Sequence, residues 1–200
     1  MEKRGIINIL QGILEMGGRA SGIVENMLSF SRKSESRKSS TDLADLLEKS
    51  LDLASNDYDL RKKYDFRHID IVREFEQGLP QISCVKMEIQ QVLLNVLKNA
   101  AFAISQKNYG GGSPRIILRL RRDDGMVRME VEDNGIGMDA ETRKRIFEPF
   151  FTTKDLGLGT GLGLSVSYFI ITNNHGGTME VESVHEIGTT FIIRLPVAAP

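Results

Sequence analysis

One cysteine in 200 residues, no surplus of either charge and no apolar run of membrane-spanning length set the first limits on this chain. A lone Cys84 excludes an internal disulfide framework, fits a reducing compartment and reads as a small buried hydrophobe. The formal net charge of -1 forces no polyanion-binding surface, so nucleic acid is not expected as a partner. With neither a spanning segment nor a signal-type apolar core, the piece in hand is expected to be soluble and cytoplasmic; a longer parent is free to be membrane-anchored. Common nucleotide signatures are missing too. There is no G-x-x-x-x-G-K-[ST] run for a P-loop, no G-x-G-x-x-G register for a dinucleotide fold, and no H-R-D or D-F-G of a Ser/Thr kinase. The hydrophobic fraction of 40% is enough for one domain core plus an appendage.

What is present is an alternation of helical and strand patterns. Ile6, Ile9, Leu10, Ile13, Ile23, Val24, Met27 and Leu28 recur at helical steps, although Gly12, Gly17, Gly18 and Gly22 weaken that helix in isolation. A serine-rich polar stretch over residues 34–41 reads as a linker, and Thr41 or Asp42 caps a second helix running to residue 54. Ile69, Ile71 and Phe75 alternate as a strand, with His68 placed in it. Residues 86–104 form a helix with Ile89, Val92, Leu93, Val96, Leu97 and Ala100 in one stripe. Ile116, Leu118 and Leu120, then Val127, Met129 and Val131, alternate on two strands joined at Asp123-Asp124-Gly125. Helices over residues 140–147 and 162–173 follow, then a hairpin that sets Met179 and Val181 against Phe191, Ile193 and Leu195. The order predicts a two-layer α/β sandwich, a largely antiparallel sheet with helices on one face, plus the N-terminal helix.

Polar residues punctuate this frame at particular places. Asn95 and Asn99 are four apart and share a helix face; paired carboxamide oxygens suit Mg²⁺, and two solvated asparagines would look the same. Asp133-Asn134-Gly135-Ile136-Gly137 ends a strand. Its carboxylate is acceptor-only, the right partner for the exocyclic amine of adenine, and Gly135 and Gly137 remove Cβ atoms from the approach to a ring. An ordinary Asn-Gly turn remains the alternative for that segment. Gly157, Gly159, Gly161 and Gly163 lead into a helix whose free amides favour a phosphate chain.

The segments Gln91 to Ala100, Asp133 to Gly137, Phe147-Glu148-Pro149-Phe150-Phe151-Thr152-Thr153-Lys154 and Gly159-Thr160-Gly161-Leu162-Gly163-Leu164, in this order and spacing, resemble the N, G1, F and G2 boxes of the sensor histidine kinase catalytic domain. That domain belongs to the GHKL superfamily of gyrase, the heat-shock chaperone, histidine kinases and mismatch-repair ATPases. The resemblance runs from about residue 41 to residue 196 and implies the Bergerat ATP-binding fold over residues 42–200. It implies ATP and Mg²⁺ as cofactors, with Asn99 as metal ligand and Asn95 and Lys154 as catalytic positions that also contact the nucleotide. Asp133, Gly135, Gly137, Thr153, Gly159, Thr160, Gly161, Leu162, Gly163, Leu164 and Thr189 complete the implied nucleotide set, with Thr189 supporting Asp133. Lys154 is implied to reach the terminal phosphates from a short lid. The hydrolysing cousins carry a glutamate base where Asn95 stands; an amide cannot take a proton, which favours transfer over hydrolysis.

The resemblance also exposes a gap. His68, His175 and His185 are the only histidines. His185-Glu186-Ile187 lies between two C-terminal strands and reads as a surface loop, and His175-Gly176-Gly177 as a helix-ending turn, so none reads as a phosphoacceptor. Arg19 to Arg32 resembles the second helix of a dimerisation and phosphotransfer hairpin, which assigns residues 1–33 to half of such a hairpin. The implied partners are the acceptor histidine on the absent half, a response regulator receiver domain, and a second copy through the N-terminal helix. Alternatives within the pocket's reach are a nucleotide-gated regulatory module, a protein-serine kinase and an ATPase.

Overall fold

The computed structural model describes residues 37–56, 66–154 and 159–198. The N-terminal helix expected over residues 1–33, the start of the linker and Gly157 lie outside them. Element order is β1 (Ser39–Thr41), α1 (Leu43–Asn56), β2 (Asp70–Phe75), β3 (Ile82–Cys84), α2 (Lys86–Ser105), β4 (Arg115–Asp123), β5 (Met126–Asp133), α3 (Ala140–Arg145), α4 (Gly163–Phe169), β6 (Thr178–Val184) and β7 (Gly188–Pro196). A five-stranded sheet has the order β2-β4-β5-β7-β6. Its β2–β4 pair is parallel and the other pairs are antiparallel.

Local chemistry accounts for most boundaries. Asp42 Oδ1 accepts the Ala44 N–H at 2.8 Å and the Asp45 N–H at 3.2 Å, so the expected cap of α1 is Asp42. Asp124 (φ 42°) and Gly125 (φ 79°) form the two-residue turn between β4 and β5, a type I′ geometry that matches strand twist. On the inner face of the sheet, Ile116, Leu118 and Leu120, with Val127, Met129, Val131, Phe191, Ile193 and Leu195, meet Leu47 and Leu51 of α1. The same layer takes Ile89, Val92, Leu93, Val96 and Leu97 of α2, all fully buried. Each such side chain contributes about 1.5–3 kcal/mol relative to exposure. The outer face is a charged layer in which Arg119 bridges Glu74 at 2.8 Å and Glu130 at 3.4 Å.

Three expectations change. Ser39–Thr41, assigned to the linker, pairs antiparallel with Ile82–Cys84 as a small separate ladder. Three-residue strands carry no alternation for a sequence pattern to detect. His68 lies in a 3₁₀ turn, Phe66–His68, just ahead of β2. The last long helix changes character: α4 passes into a π-helical turn, Ile170–Asn174.

That turn ends on His175, which is buried. Its Nε2 accepts the Val85 N–H at 3.1 Å, so Nδ1 carries the proton and donates to the Ile170 carbonyl at 3.0 Å. Val85 is the N-cap of α2 and its own side chain makes no capping bond. The imidazole therefore stands between the start of α2 and the end of the α4 segment. His175→Ala is expected to lower unfolding free energy in urea by about 1–3 kcal/mol, the cost of orphaned buried polar groups. A loss within a few tenths would show that the ring is dispensable there.

Candidate nucleotide site

The four motif segments meet along α2. Asn95, Asn99 and Ala103 follow one another at four-residue steps and so share a face of the helix. Asn95 Nδ2 donates to the Gly163 carbonyl and to Ser167 Oγ, both at 3.1 Å, tying α2 to the first turn of α4. Asn99 Oδ1 accepts the Lys154 ammonium at 2.7 Å, and that ammonium also sits 4.4 Å from the Phe102 ring centroid. Burial brings the Lys154 pKa down to about 8. One turn further, Ala103 accepts the Ile136 N–H at 3.1 Å.

Gly135 is needed because of Ala103. A Cβ on Gly135 would lie 2.5 Å from the Ala103 carbonyl carbon, so only glycine lets the loop after β5 rest on α2. The reason anticipated from sequence was approach to a ring; the constraint visible here is helix packing. Gly161 has a similar need. It adopts φ 68°, its Cβ would meet the Phe150 carbonyl carbon at 2.4 Å, and its own carbonyl accepts the Phe150 N–H at 2.9 Å.

Asp133 ends β5 and is 3% exposed. Its Oδ1 accepts the Gly135 N–H at 2.9 Å. Burial pushes its carboxyl up to about 7, against the opposing pull of the Gly135 and Thr189 backbone N–H groups and the Lys107 charge. Thr189 is thus beside Asp133, paired with it across β5 and β7, but acts through its backbone; its hydroxyl lies 3.0 Å from Ser183 Oγ. Ser183 also accepts the Met138 N–H at 2.8 Å, which pins the loop beyond Gly137.

The remaining expected residues divide by role. Leu162 is buried and Leu164 packs on the core, so both hold α4 in place. Thr160 Oγ1 accepts the Leu162 N–H at 3.3 Å, ordering the glycine segment at the mouth of that helix. Gly159 lies against Thr152 and Lys154, and Thr153 is exposed. Sequence reasoning did not find Phe102, Lys107, Tyr109, Ser167 or Ser183, whose partners are mostly backbone groups or residues far along the chain.

Among the described residues no cluster of three or more His, Cys, Asp or Glu side chains is placed to hold a metal. The donor set offered instead is one neutral amide oxygen, Asn99 Oδ1, already turned to a cation in the form of the Lys154 ammonium. That suits Mg²⁺, which keeps waters and phosphate oxygens as its other ligands.

The raised Asp133 pKa has a sign that can be checked. Folded Asp133 stays protonated up to about pH 7 whereas the unfolded carboxyl ionises from its ordinary 3.8. Between those values the native state holds the extra proton, so stability falls as pH rises and levels off above 7. Urea unfolding of the native chain and of Asp133→Asn between about pH 5 and pH 8 is expected to show a relative loss for the native chain of up to about 1.4 kcal/mol per pH unit. Parallel pH profiles for the two proteins would contradict the burial argument.

Known proteins resemble this chain in sequence and in fold. Residues 84–199 match the family described as histidine kinase-, DNA gyrase B-, and HSP90-like ATPase. The chain is 37% identical over 175 residues to the signal transduction histidine-protein kinase AtoS of Escherichia coli K12, covering 88% of this chain and 26% of that protein. It is 32% identical over 189 residues to the C4-dicarboxylate transport sensor protein DctB of Rhizobium meliloti, covering 94% of this chain and 28% of the relative. It thus spans about a quarter of the curated relatives named here. Among solved structures, a nucleotide-free catalytic domain of histidine kinase ThkA superposes with TM-score 0.65 at 30% identity, covering 80% of this chain and 95% of that one. Full-length ShkA in complex with AMPPNP superposes with TM-score 0.74 at 26% identity, over 100% of this chain and 40% of that one. The fold, the convergence of the four segments on α2 and these matches agree: the chain belongs to the family of histidine kinase-, DNA gyrase B-, and HSP90-like ATPases.

Proposed function

We propose that this chain is the ATP-binding catalytic part of a two-component sensor histidine kinase. In this reading it transfers the γ-phosphoryl group of ATP to a histidine on a separate dimerisation element. The observation that carries it is Asp133, a buried carboxyl at the end of β5 held by the Gly135 and Thr189 amides, whose following loop rests on the helix that carries Asn99, the partner of Lys154. The relatives' names and the AMPPNP complex of ShkA support it.

Each residue then has a task. Asp133 accepts from the exocyclic amine of adenine and sets the orientation of the base. Backbone amides of Gly159, Gly161 and Gly163 face the phosphates, and Lys154 exchanges Asn99 Oδ1 for phosphate oxygens. Asn99 Oδ1 would hold a magnesium ion, which would supply charge neutralisation on the phosphate chain. A nitrogen of the acceptor imidazole forms the N–P bond as the bond from the γ-phosphorus to the bridging oxygen breaks and ADP leaves. This chain's part is positioning and electrostatic support, not proton abstraction.

Asn95 lacks the basicity that hydrolysis needs, and it also has a structural reason to be an amide. Its Nδ2 donates to the Gly163 carbonyl, a bond that a carboxylate at the same place could not make. The rest of the proposal concerns the longer protein: residues 1–33 as half of a dimerisation and phosphotransfer hairpin, a homodimer through it, a cytoplasmic location, and onward transfer to a receiver domain. The last is supported by a ThkA structure in complex with response regulator protein TrrA, TM-score 0.69 at 27% identity. Among the described residues no helix is long and apolar enough to cross a membrane.

The test mixes the chain, radiolabelled ATP and Mg²⁺ with a purified histidine-bearing hairpin from a relative such as AtoS. Acid-labile, base-stable label on the hairpin, lost with Asn99→Ala, is the expected result. Steady phosphate release with an unlabelled hairpin would favour the ATPase reading, and nucleotide binding with neither outcome would favour a regulatory module.

A further inference from the structure

Just beyond the C-terminus of α2, Lys107 does something that helix-end lysines rarely do. A cation there ordinarily pairs with the last carbonyls of its own helix. Here the Nζ donors are directed to four carbonyl oxygens outside α2: Asn134 at 2.9 Å, Gly135 at 3.2 Å, Glu186 at 2.9 Å and Ile187 at 3.2 Å. Two come from the loop after β5 and two from the β6–β7 turn. The Tyr109 ring centroid lies 5.7 Å from the same ammonium.

Four carbonyl dipoles aimed at one point repel one another unless a positive charge sits there. The turn accepts local strain to deliver its pair, since Glu186 adopts φ 62°, a left-handed conformation that non-glycine residues avoid. The Glu186 N–H meanwhile donates to the Ile136 carbonyl, so the two loops are stitched on both sides of the ammonium. Lys107 thus takes the place of a bound monovalent cation, tethered to α2 by its own side chain.

The consequence reaches Asp133 through one peptide unit. The Asn134 carbonyl and the Gly135 N–H belong to the same planar group. Its oxygen is gripped by Lys107 Nζ and, at 3.2 Å, by Tyr109 Oη; its N–H donates to Asp133 Oδ1 at 2.9 Å. Pulling on the oxygen fixes the direction of the N–H and polarises it, which sets the Asp133 carboxyl in one orientation. The Lys107 charge also works against the rise that burial imposes on the Asp133 carboxyl, favouring the ionised state that accepts from an amine.

We propose that Lys107 is a positioning residue for adenine recognition, a built-in cation that clamps the Asn134–Gly135 peptide and the β6–β7 turn so that Asp133 presents a fixed acceptor. This rests on the nucleotide-site reading above. It assigns base selectivity, not phosphate binding, to the clamp.

The test measures calorimetric affinities of the full chain for ADP and for inosine diphosphate, which has a carbonyl in place of the exocyclic amine. The native chain is expected to prefer ADP, and Lys107→Ala to lose about tenfold in ADP affinity while inosine diphosphate changes little. Methylammonium chloride should restore ADP affinity to Lys107→Ala, whereas tetramethylammonium chloride at equal concentration, too bulky for the carbonyl cage and without N–H donors, should not. If Lys107→Ala lacks a cooperative unfolding transition, Lys107→Gln, which keeps donors without charge, carries the same comparison. An unchanged ratio of ADP to inosine diphosphate affinity in the folded variant would overturn the proposal. So would equal losses for both nucleotides in step with a lower thermal midpoint, or identical effects of the two ammonium salts. Absence of ADP binding by the native chain is a different result, and it removes the nucleotide-site reading itself.

Discussion

Everything in this domain is referenced to the packing of α2 against the sheet. The apolar side of that helix, from Ile89 to Ala101, is sealed into the core, which leaves it no freedom to roll. A helix that cannot roll presents the flank beside that stripe at fixed positions, and the motif segments bond to it. Asn95 holds α4, Asn99 holds Lys154, Ala103 receives the loop after β5, and Lys107 closes that loop onto the β6–β7 turn. Segments distant in the chain become one site because each makes a specific bond to a different level of the same rod.

The second constraint is electrostatic. Asp133 sits where water is excluded, and its carboxyl rises to about 7 in consequence. A fold selected only for stability would place an apolar residue there. The amides of Gly135 and Thr189 and the charge of Lys107 lower the cost without removing it, and what remains is the usual signature of a group kept for recognition. The low-dielectric setting that destabilises the carboxylate also strengthens whatever donor it meets.

Legibility in the sequence followed the range of the interaction. Elements with long periodic patterns, such as α2, the β4–β5 hairpin and the β6–β7 hairpin, were readable because alternation and helical spacing report directly on burial. The short β1–β3 ladder was not, since Ser39, Ser40 and Thr41 have linker composition and three residues show no alternation. The positions that meet along α2 were readable where a motif carried them, as at Asn99 and Asp133, but the physical reasons for some of the residues there differ in part. Gly135 is glycine because Ala103 lies beneath it, and Asn95 is an amide that donates, a role invisible when it was considered only as a missing base. Thr189 stands beside Asp133 as expected and contributes a backbone N–H. Lys107 left no trace in the pattern at all, because its four partners are main-chain carbonyls and two of them lie on the distant β6–β7 turn.

The central claim is that the buried Asp133 carboxylate, framed by α2, is a nucleotide receptor. Its most direct test is calorimetric titration of the chain with a non-hydrolysable ATP analogue in the presence of Mg²⁺, repeated with Asp133→Ala. Saturable binding by the native chain that disappears in the variant, with the variant still unfolding cooperatively, is the result this account predicts. Equal binding by both proteins, or binding by neither, would contradict it.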